Sequence, residues 1–491
     1  MLNEQQDQAA RMQGRKLVTI AGPGTGKTHM MVARILNDQQ AGMLRQKQVA
    51  VTFTNAAGDE LAERLEKAKA DRLSHCGTLH SWALRQLRRR RPDRYEQTRI
   101  IGDAEFEEII KDAIKRIGSK QSIASAREII ANNTGTAGAK RVLSLAIQNR
   151  MRTDNVMHPD TVLPEFIRIL DKGDGADQGL QLYIDEFQDT ASIDAAIYRR
   201  LFDEYGASIF VVGDPRQAIF GFRGASWSHM RQMAAEADQV THLEVNYRST
   251  RCIVDHGNAL AKTMLIDDEM KQPNTAHRNG ACIPATFNSY PTGEEEAIAM
   301  REWAQGAGSR AILTRYNQGV KLIADMLRAE DIPVQASTDS EELKEQLREH
   351  RDMLEAIKSV DNRMNAQEWA THLGNLGASL ELQDALVGPL SRARTPEQRV
   401  AAVNAMEPQP QEGAVWVSTI HAAKGLEWDW VWLAGADDKA YREGPDDKCL
   451  LFVAITRARD ALTISHAESR QAHQRLTDLK LATILEITKP R

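Results

Sequence analysis

The chain of 491 residues contains few cysteines, few aromatic residues and no long apolar run. Its four cysteines lie far apart and none belongs to a CxxC pair, which argues against a zinc or iron–sulfur site and fits a reducing cytoplasm. No apolar run approaches the ~20 residues that a membrane-spanning helix needs. Residues 1–10 also lack the basic flank and apolar stretch of a signal peptide. These absences predict a cytoplasmic protein without a membrane segment.

An excess of positive charge is also missing, because the formal net charge is −5. This balance does not exclude a nucleic-acid partner, since affinity depends on a local basic groove and not on net charge. The densest basic run is LRQLRRRRPDR at 84–94. Two interpretations of this run stay open, a solvated helix face or an edge that contacts phosphates.

Short apolar runs alternate with helical patterns in two regions of the chain. The runs are LVTIA at 17–21, VAVTF at 49–53, LQLYID at 180–185, SIFVVGD at 208–214, AILT at 311–314, VWVST at 415–419, WVWLAG at 430–435 and ALTIS at 461–465. Such runs are typical of buried parallel strands. The alternation predicts an α/β fold with doubly wound parallel sheets and ligands at the carboxyl ends of the strands.

A glycine-rich segment, AGPGTGKT, follows the first apolar run. Its glycines, which allow a tight turn with backbone amides facing a phosphate chain, are Gly22, Gly24 and Gly26. Lys27 would open the next helix and reach the terminal phosphates of ATP, and the Thr28 hydroxyl would ligate Mg²⁺. The segment therefore predicts a site for ATP and Mg²⁺.

Further candidate catalytic groups follow or flank other motifs. Asp185 would hold Mg²⁺, and Glu186 would orient and deprotonate the attacking water. Gln217 lies four residues beyond SIFVVG, where a neutral amide can sense the γ-phosphate. Arg248 and Arg457 are candidate cations for the transition state of phosphoryl transfer. The structural alternatives are a capping acid pair and surface salt bridges.

Aromatic residues offer candidate stacking platforms. Tyr247 precedes Arg248 and could stack on a base such as adenine. Phe220 and Phe222 stand in the glycine-bounded turn IFGFRGA, which suits stacking of single-stranded bases, worth ~1–3 kcal/mol each. Packing in a core is the alternative for both phenylalanines.

Taken together, the motifs resemble those of the UvrD/Rep/PcrA family, the A-type branch of helicase superfamily one. The segments are AGPGTGKT at 21–28, YIDEFQDT at 183–190, VVGDPRQAIFGFRGAS at 211–226, NYRST at 246–250, HAAKGLEW at 421–428 and AITRAR at 454–459. The resemblance implies two RecA-like motor domains, each with a helical insertion, and ATP hydrolysis in a cleft between them. It also implies 3′-to-5′ movement on single-stranded DNA.

The same resemblance assigns further roles. Gln6 would read adenine, Tyr247 would stack on it, Arg248 would contact the γ-phosphate and Glu427 would bind the ribose. The residues expected to contact the strand are Phe53, Thr54, Asn55, Thr78, His80 and His421, the last beside Lys424 at the surface that couples DNA to ATP.

Four regions follow from these motifs. The first motor domain is predicted at 1–87 and 181–255 with an insertion at 88–180, and the second at 256–335 and 413–491 with a short insertion at 336–412.

Departures from the family pattern leave alternatives open. The second insertion is short, and His473 stands where the family carries an aromatic hairpin tip. The compact chain also resembles the helicase-like subunit of Gabija-type anti-phage systems, which partners an OLD-family nuclease. The alternative function is therefore a DNA-stimulated ATPase that regulates a partner nuclease. An RNA helicase, a 5′-to-3′ motor or a non-motor P-loop ATPase are further alternatives, less well matched by TFTN, TLHS and the two arginine motifs.

Overall fold

The computed structural model describes residues 2–131, 138–221, 224–338, 356–357, 360, 364–376, 378, 380–393, 395, 398–399, 413–436, 441 and 445–467. Contacts divide the chain into two compact units. The first comprises Met1–Val245 and Ile266–Gln272, and the second Asn246–Leu265 and Pro273–Arg491. The chain thus leaves the first unit after Val245, whereas the sequence placed that boundary at residue 255. The domain boundaries given above stay a prediction.

The first unit is built around a parallel sheet. Its elements are α1 (Glu4–Ala10), β1 (Lys16–Ala21), α2 (Lys27–Gln40), β2 (Gln48–Thr52), α3 (Asn55–Lys67), β3 (His75–Thr78), α4 (Leu79–Arg90), α5 (Pro92–Tyr95), β4 (Arg99–Ile100), α6 (Asp103–Ile117), α7 (Ile123–Ala131), α8 (Gly138–Thr153), β5 (Val156–Met157), α9 (Pro159–Leu170), β6 (Gln181–Ile184), α10 (Ser192–Asp203), β7 (Ser208–Gly213), α11 (Ser228–Ala235) and β8 (Gln239–Leu243). The sheet order is β3-β2-β6-β7-β1-β8, and all five pairings are parallel. Every residue of β2 and β6 is buried, which explains their continuous apolar runs.

Helices α4 to α9 lie between β3 and β6 in the chain, and α6, α7 and α8 form a small core of their own. α6 places Phe106, Ile110 and Ala113 on one face at helical spacing, and all three are buried. Leu143 and Ile147 of α8 pack into the same cluster. This region is a helical insertion that interrupts the first sheet.

The arginine run at the end of α4 is largely paired inside the chain. Arg90 donates to Asp177 at 2.5 Å, and Arg89 donates to the same carboxylate at 2.9 Å. Arg85 donates to the carbonyl of Ser74. The run therefore links α4 to the segments before β3 and β6. This structural role differs from both interpretations left open by the sequence, a solvated helix face and an edge that contacts phosphates.

The second unit contains another parallel sheet. Its elements are β9 (Val245–Thr250), α12 (Arg251–Ala261), β10 (Thr275–Arg278), β11 (Thr286–Tyr290), α13 (Gly293–Ala304), β12 (Arg310–Thr314), α14 (Asn317–Arg328), β13 (Val334–Ala336), α15 (Ala366–Asn375), α16 (Leu380–Arg392), β14 (Val415–Thr419), β15 (Trp428–Leu433), α17 (Pro445–Ile455) and β16 (Ala458–Ala467). The order is β11-β16-β15-β12-β14-β13. All five pairings are parallel. The fold is therefore α/β with two RecA-like parallel sheets, as the sequence predicted.

A second helical insertion lies between β13 and β14. Trp369 and Leu373 of α15 are buried in a separate apolar cluster with Leu386 and Leu390 of α16. Each sheet is thus interrupted by helices with their own core, as the predicted fold class requires.

The structure contains one disulfide bond that the sequence analysis did not predict. Cys252 of α12 forms a disulfide with Cys282, thirty positions along the chain, while Cys76 and Cys449 take no part in a disulfide. A separation of this length gives no local sequence signal. Within the described residues, His, Cys, Asp and Glu side chains form no group of three that could hold a metal ion. In the same residues no helix is both long and apolar enough to cross a membrane.

Candidate nucleotide and nucleic-acid sites

The glycine-rich loop joins the end of β1 to the start of α2. Gly24 and Gly26 have positive φ angles of 69° and 79°. A Cβ on Gly26 would lie 2.7 Å from Nε2 of Gln6, so only glycine fits there. Thr25 closes the turn, because its Oγ1 donates to the carbonyl of Gly22 at 2.8 Å. Since α2 begins directly after this turn, the amides and positive dipole end of the helix lie beside the loop, which suits phosphate binding.

The predicted phosphate lysine and the predicted base meet in this structure. Nζ of Lys27 lies 3.3 Å from Oε1 of Glu186, and both side chains are largely shielded from solvent. Glu186 has a φ of 51°, a left-handed conformation that non-glycine residues rarely adopt. The Asp185 carboxylate accepts the Glu186 N–H at 2.9 Å. Backbone strain of this kind is typical of functional sites and aims Glu186 toward the phosphate loop.

The loop after β7 is tied to the acid pair by buried hydrogen bonds. Gln188, which is fully buried, donates to Glu186 at 2.5 Å and accepts the N–H of Asp214 at 2.9 Å. The Asp214 carboxylate in turn accepts from Gln217 Nε2 at 2.9 Å and from the Arg216 guanidinium at 2.8 Å. The predicted sensor Gln217 is therefore connected to the predicted base through Gln188 and Asp214.

Helix α1 connects the adenine-side candidate to the same loop. Gln6 donates to the carbonyl of Thr25 at 2.8 Å and also completes a capping box with Asn3. Its neighbour Gln5 accepts the Glu244 N–H at 3.0 Å, just after β8. These bonds hold α1 against both the phosphate loop and the end of β8.

The strand-contacting candidates of the first unit follow β2 and β3. Thr54 caps α3 through the N–H of Ala57, and Thr78 caps α4 through the N–H of Ser81, so both hydroxyl groups serve helix N-termini. Asn55 is the first residue of α3, and His80 is the exposed second residue of α4. Two helix N-termini thus lie at the same edge of the sheet, where they favour phosphate.

Two aromatic candidates from different motifs form a stacked pair. The rings of Phe53 and Phe220 are 4.6 Å apart with an interplanar angle of 25°. Both side chains are half-buried. Phe222, the other aromatic residue predicted in this turn, lies outside the described residues. The pair joins the end of β2 to the turn that follows Gln217.

In the second unit, three arginines lie around the carboxylate of Glu427, and two of them, Arg248 and Arg457, are candidates from the sequence. Glu427 forms an ion pair with Arg248, and Arg459 donates to it at 2.7 Å. Burial alone would raise the pKa of Glu427, but the guanidinium groups of Arg248, Arg459 and Arg457 outweigh burial and lower it. Glu427 is therefore ionised among three cations.

Arg457 is buried and not part of a surface salt bridge. It is 2% exposed, and its guanidinium donates to the backbone carbonyls of Val453 and Leu426 at 3.1 Å each. Tyr247 is 37% exposed, and its ring lies 4.7 Å from that of His277. These arrangements suit a fixed cation and a stacking platform.

The remaining candidates of the second unit follow β14. His421 and Lys424 are half-buried in a turn in which the Lys424 N–H donates to the His421 carbonyl at 3.3 Å. His473 lies outside the described residues.

Sequence reasoning missed several residues that bond directly to candidates, among them Gln188, Asp214 and Arg459. Gln188 stands inside the FQDT segment. Arg457 and Arg459 are two positions apart at the start of β16, as Glu427 and Asp429 are at the start of the neighbouring strand β15. That shared spacing is the signal that could have identified Arg459.

Comparison with known proteins identifies the family. The UvrD/REP helicase N-terminal domain matches residues 2–159 and 145–238, and the UvrD-like helicase C-terminal domain matches residues 241–393 and 398–469.

Similar proteins extend over most of the chain. The ATP-dependent DNA helicase PcrA of Staphylococcus aureus is 23% identical over 620 residues, covering 96% of this chain and 83% of that protein. The ATP-dependent DNA helicase UvrD2 of Mycobacterium bovis is 25% identical over 564 residues, covering 96% and 79%. The helicase srs2 of Schizosaccharomyces pombe is 27% identical over 367 residues, covering 64% and 40%. The chain therefore belongs to the UvrD/Rep/PcrA-like family of ATP-hydrolysing DNA helicases.

Proposed function

We propose that this chain moves 3′-to-5′ along single-stranded DNA, and that each ATP hydrolysed drives one cycle of gripping and release. The observation that supports it best is the loop after β7. Within four positions this loop carries Gln217, which is bonded to the Glu186 network, and Phe220, which stacks on Phe53. One short segment thus contacts both the candidate hydrolytic site and the candidate strand site. A change at the γ-phosphate would thus be transmitted along the backbone from Gln217 to Phe220, beside the candidate strand site.

The roles in hydrolysis follow from charge and reach. In this structure Lys27 neutralises Glu186, so the base is paired until a more negative partner draws the lysine away. The phosphates of ATP are such a partner. Glu186 then becomes available to accept the proton of the attacking water. Arg248 and Arg457 would stabilise the charge that develops on the transferred phosphoryl group.

A magnesium ion fits the oxygen donors present. Thr28 offers a hydroxyl and Asp185 a carboxylate, and Mg²⁺ prefers one or two protein oxygens together with phosphate oxygens. These two residues would hold the ion, which neutralises phosphate charge when bound.

The test is translocation measured on single strands. ATPase rates should rise with single-stranded DNA, and arrival of the protein at a 5′-terminal fluorophore should be delayed in proportion to strand length. A length-dependent delay at a 3′-terminal fluorophore would contradict the direction. Full turnover without any nucleic acid would contradict the coupling.

A second candidate function is a DNA-stimulated ATPase that regulates a partner nuclease in anti-phage defence. It is supported by the departures at His473 and in the second insertion. Separating a base-pair step costs ~1.4 kcal/mol, and an aromatic wedge helps by stacking on the terminal pair.

This candidate predicts that the isolated chain walks on single strands but separates long duplexes poorly. His473→Tyr should then improve unwinding of a 3′-tailed duplex under single-turnover conditions, with the single-strand ATPase rate unchanged. Efficient unwinding of several tens of base pairs by the unmodified chain would favour the stand-alone helicase instead.

A further inference from the structure

The ion pairs around Glu427 form a chain of alternating charge on the second unit. Oε2 of Glu427 pairs with Nε of Arg248, while Oε1 accepts from Nε and Nη2 of Arg459 at 3.1 and 2.7 Å. Arg459 also reaches Asp429 at 3.5 Å, and Asp429 accepts the backbone N–H of Ser309 at 3.1 Å. Each oxygen of the Glu427 carboxylate thus has a different arginine.

The strand geometry explains why these groups meet. Glu427 and Asp429 are two positions apart at the start of β15, so their side chains share one face of the sheet. Arg459 is the second residue of β16, which pairs with β15 in parallel, and it stands where the register shifts between the pairs Trp428/Ala458 and Trp430/Ala461. It therefore lies beside both carboxylates, anchored by Asp429 on one side and bonded to Glu427 on the other.

Each of the two arginines on Glu427 has a second partner, the Thr456 carbonyl at 3.4 Å for Arg248 and the Asp429 carboxylate at 3.5 Å for Arg459. If Arg248 contacts the γ-phosphate, as the proposed function requires, it must release the Glu427 carboxylate. A shielded carboxylate that loses its partner is costly unless another cation compensates for it. Arg459 is the cation already bonded to the other oxygen, and its pKa is raised because Glu427 and Asp429 outweigh the effect of burial.

We propose that Arg459 is a positioning residue that keeps the Glu427 carboxylate compensated and oriented while Arg248 turns to ATP. The inference rests on the proposed function, because it requires Arg248 to act on the nucleotide. Arg459 itself touches neither phosphate nor water in this scheme. Its effect passes entirely through Glu427.

The test is a double-mutant cycle with Arg459→Met and Glu427→Gln, measured by DNA-stimulated ATP hydrolysis. Arg459→Met alone should lower kcat roughly fivefold to tenfold with KM changed less than about twofold, since both side chains are partly exposed and the coupling is modest. In the Glu427→Gln background the same substitution should lower kcat less than about twofold. There the amide carries no charge that needs compensation.

Two further variants separate positioning from structure. Arg301→Met removes another partly exposed arginine of the second unit, bonded to Glu330 at 2.9 Å, and should leave kcat unchanged. Arg459→Lys keeps one charge and should recover part of the lost rate. Melting temperatures of all variants would show whether any loss reflects unfolding.

The outcomes are distinct. Equal losses from Arg459→Met in both backgrounds would overturn the inference and indicate either a direct phosphate contact or a structural role. An unchanged kcat in the unmodified background would overturn it as well. If Arg248→Ala and Arg457→Ala both left turnover intact, the proposed function would fail independently of Arg459.

Discussion

The first parallel sheet presents its candidate catalytic residues at the carboxyl ends of its strands, whereas two candidates of the second sheet, Glu427 and Arg457, lie at amino ends. In the first unit the phosphate loop, the acid pair and the Gln217 loop follow β1, β6 and β7 at the carboxyl ends. In the second unit Glu427 precedes β15 and Arg457 precedes β16, so both lie at the amino ends. The expectation of ligand residues at carboxyl ends therefore describes the first sheet and fails for these two residues of the second.

The difference follows from what each set contributes. Binding a phosphate chain with backbone amides requires a tight loop that leads into a helix N-terminus, and in a strand–loop–helix unit this arrangement occurs after a strand. An arginine needs no helix dipole, because it carries its own charge and five donors. Arg457 requires only fixed carbonyl partners, which the end of α17 and the turn before β15 provide. The first sheet thus supplies a phosphate-binding loop, and the second supplies side-chain cations.

The largest expected effect tests the phosphate loop of the first unit. Lys27→Ala should abolish turnover, by roughly 10³-fold or more, because the phosphates lose the cation nearest the loop. β1 offers a matched control, since Lys16 at its other end also pairs with a glutamate, Glu236, at 2.8 Å. Lys16→Ala should leave the ATPase rate within about twofold, because an exposed ion pair contributes little. Equal losses in both variants would mean that the ion pair, and not the phosphate site, matters.

The next effect tests the side-chain cations. Arg457→Ala should lower kcat by about 10³-fold while leaving nucleotide affinity nearly unchanged, as expected for a group that acts in the transition state. Arg310 is a suitable control, being another buried arginine of the second unit that donates to a backbone carbonyl. Arg310→Ala should lower the melting temperature without a specific loss of kcat. Weakened ATP binding in Arg457→Ala with kcat intact would assign the residue to ground-state binding.

The comparison also shows which strands a sequence can reveal. The predicted strands are the inner strands of each sheet, and they are buried apolar runs. The four unpredicted strands of the two large sheets, β3, β8, β11 and β13, are the edge strands in the described residues. An edge strand has a neighbour on one side only and is less buried, so its sequence can be polar, as in QVTHL of β8. Local composition therefore could not identify them.

The candidate sites divide in the same way. Residues that would touch the ligand stand in dense motifs, and the structure groups them as two sets, one in each unit. Residues that position those groups, such as Gln188 and Arg459, have no assigned catalytic or ligand-binding role that a motif would indicate. Their role depends on register between strands and on bonds across the fold. Tertiary contacts of this kind are not encoded in spacing along the chain.

A smaller effect tests one of these supporting residues. Gln188→Met preserves shape but removes the bonds to Glu186 and Asp214, leaving a buried N–H unpaired, so kcat should fall roughly tenfold to hundredfold. Gln148 is the matched control, a buried glutamine of the first helical insertion that bonds Ser144 at 2.9 Å. Gln148→Met should change stability and not kcat. If both variants lose only stability, the network after β7 has no part in hydrolysis.

The smallest expected effect tests the strand side of the first sheet. Phe220→Ala should weaken single-strand binding by ~1–3 kcal/mol with little change in KM for ATP, because a base loses its stacking surface. Phe53→Ala should produce a similar loss, and the double variant less than the sum, since the two rings form one platform. Phe287 of β11 is half-buried in the other unit and provides the control, because Phe287→Ala should leave DNA affinity unchanged.

The measurement is a fluorescence titration with a labelled oligonucleotide, accompanied by thermal melting. Unchanged DNA affinity with lowered melting temperature would make Phe53 and Phe220 core residues, and the first sheet would then keep its nucleotide site without an aromatic strand contact.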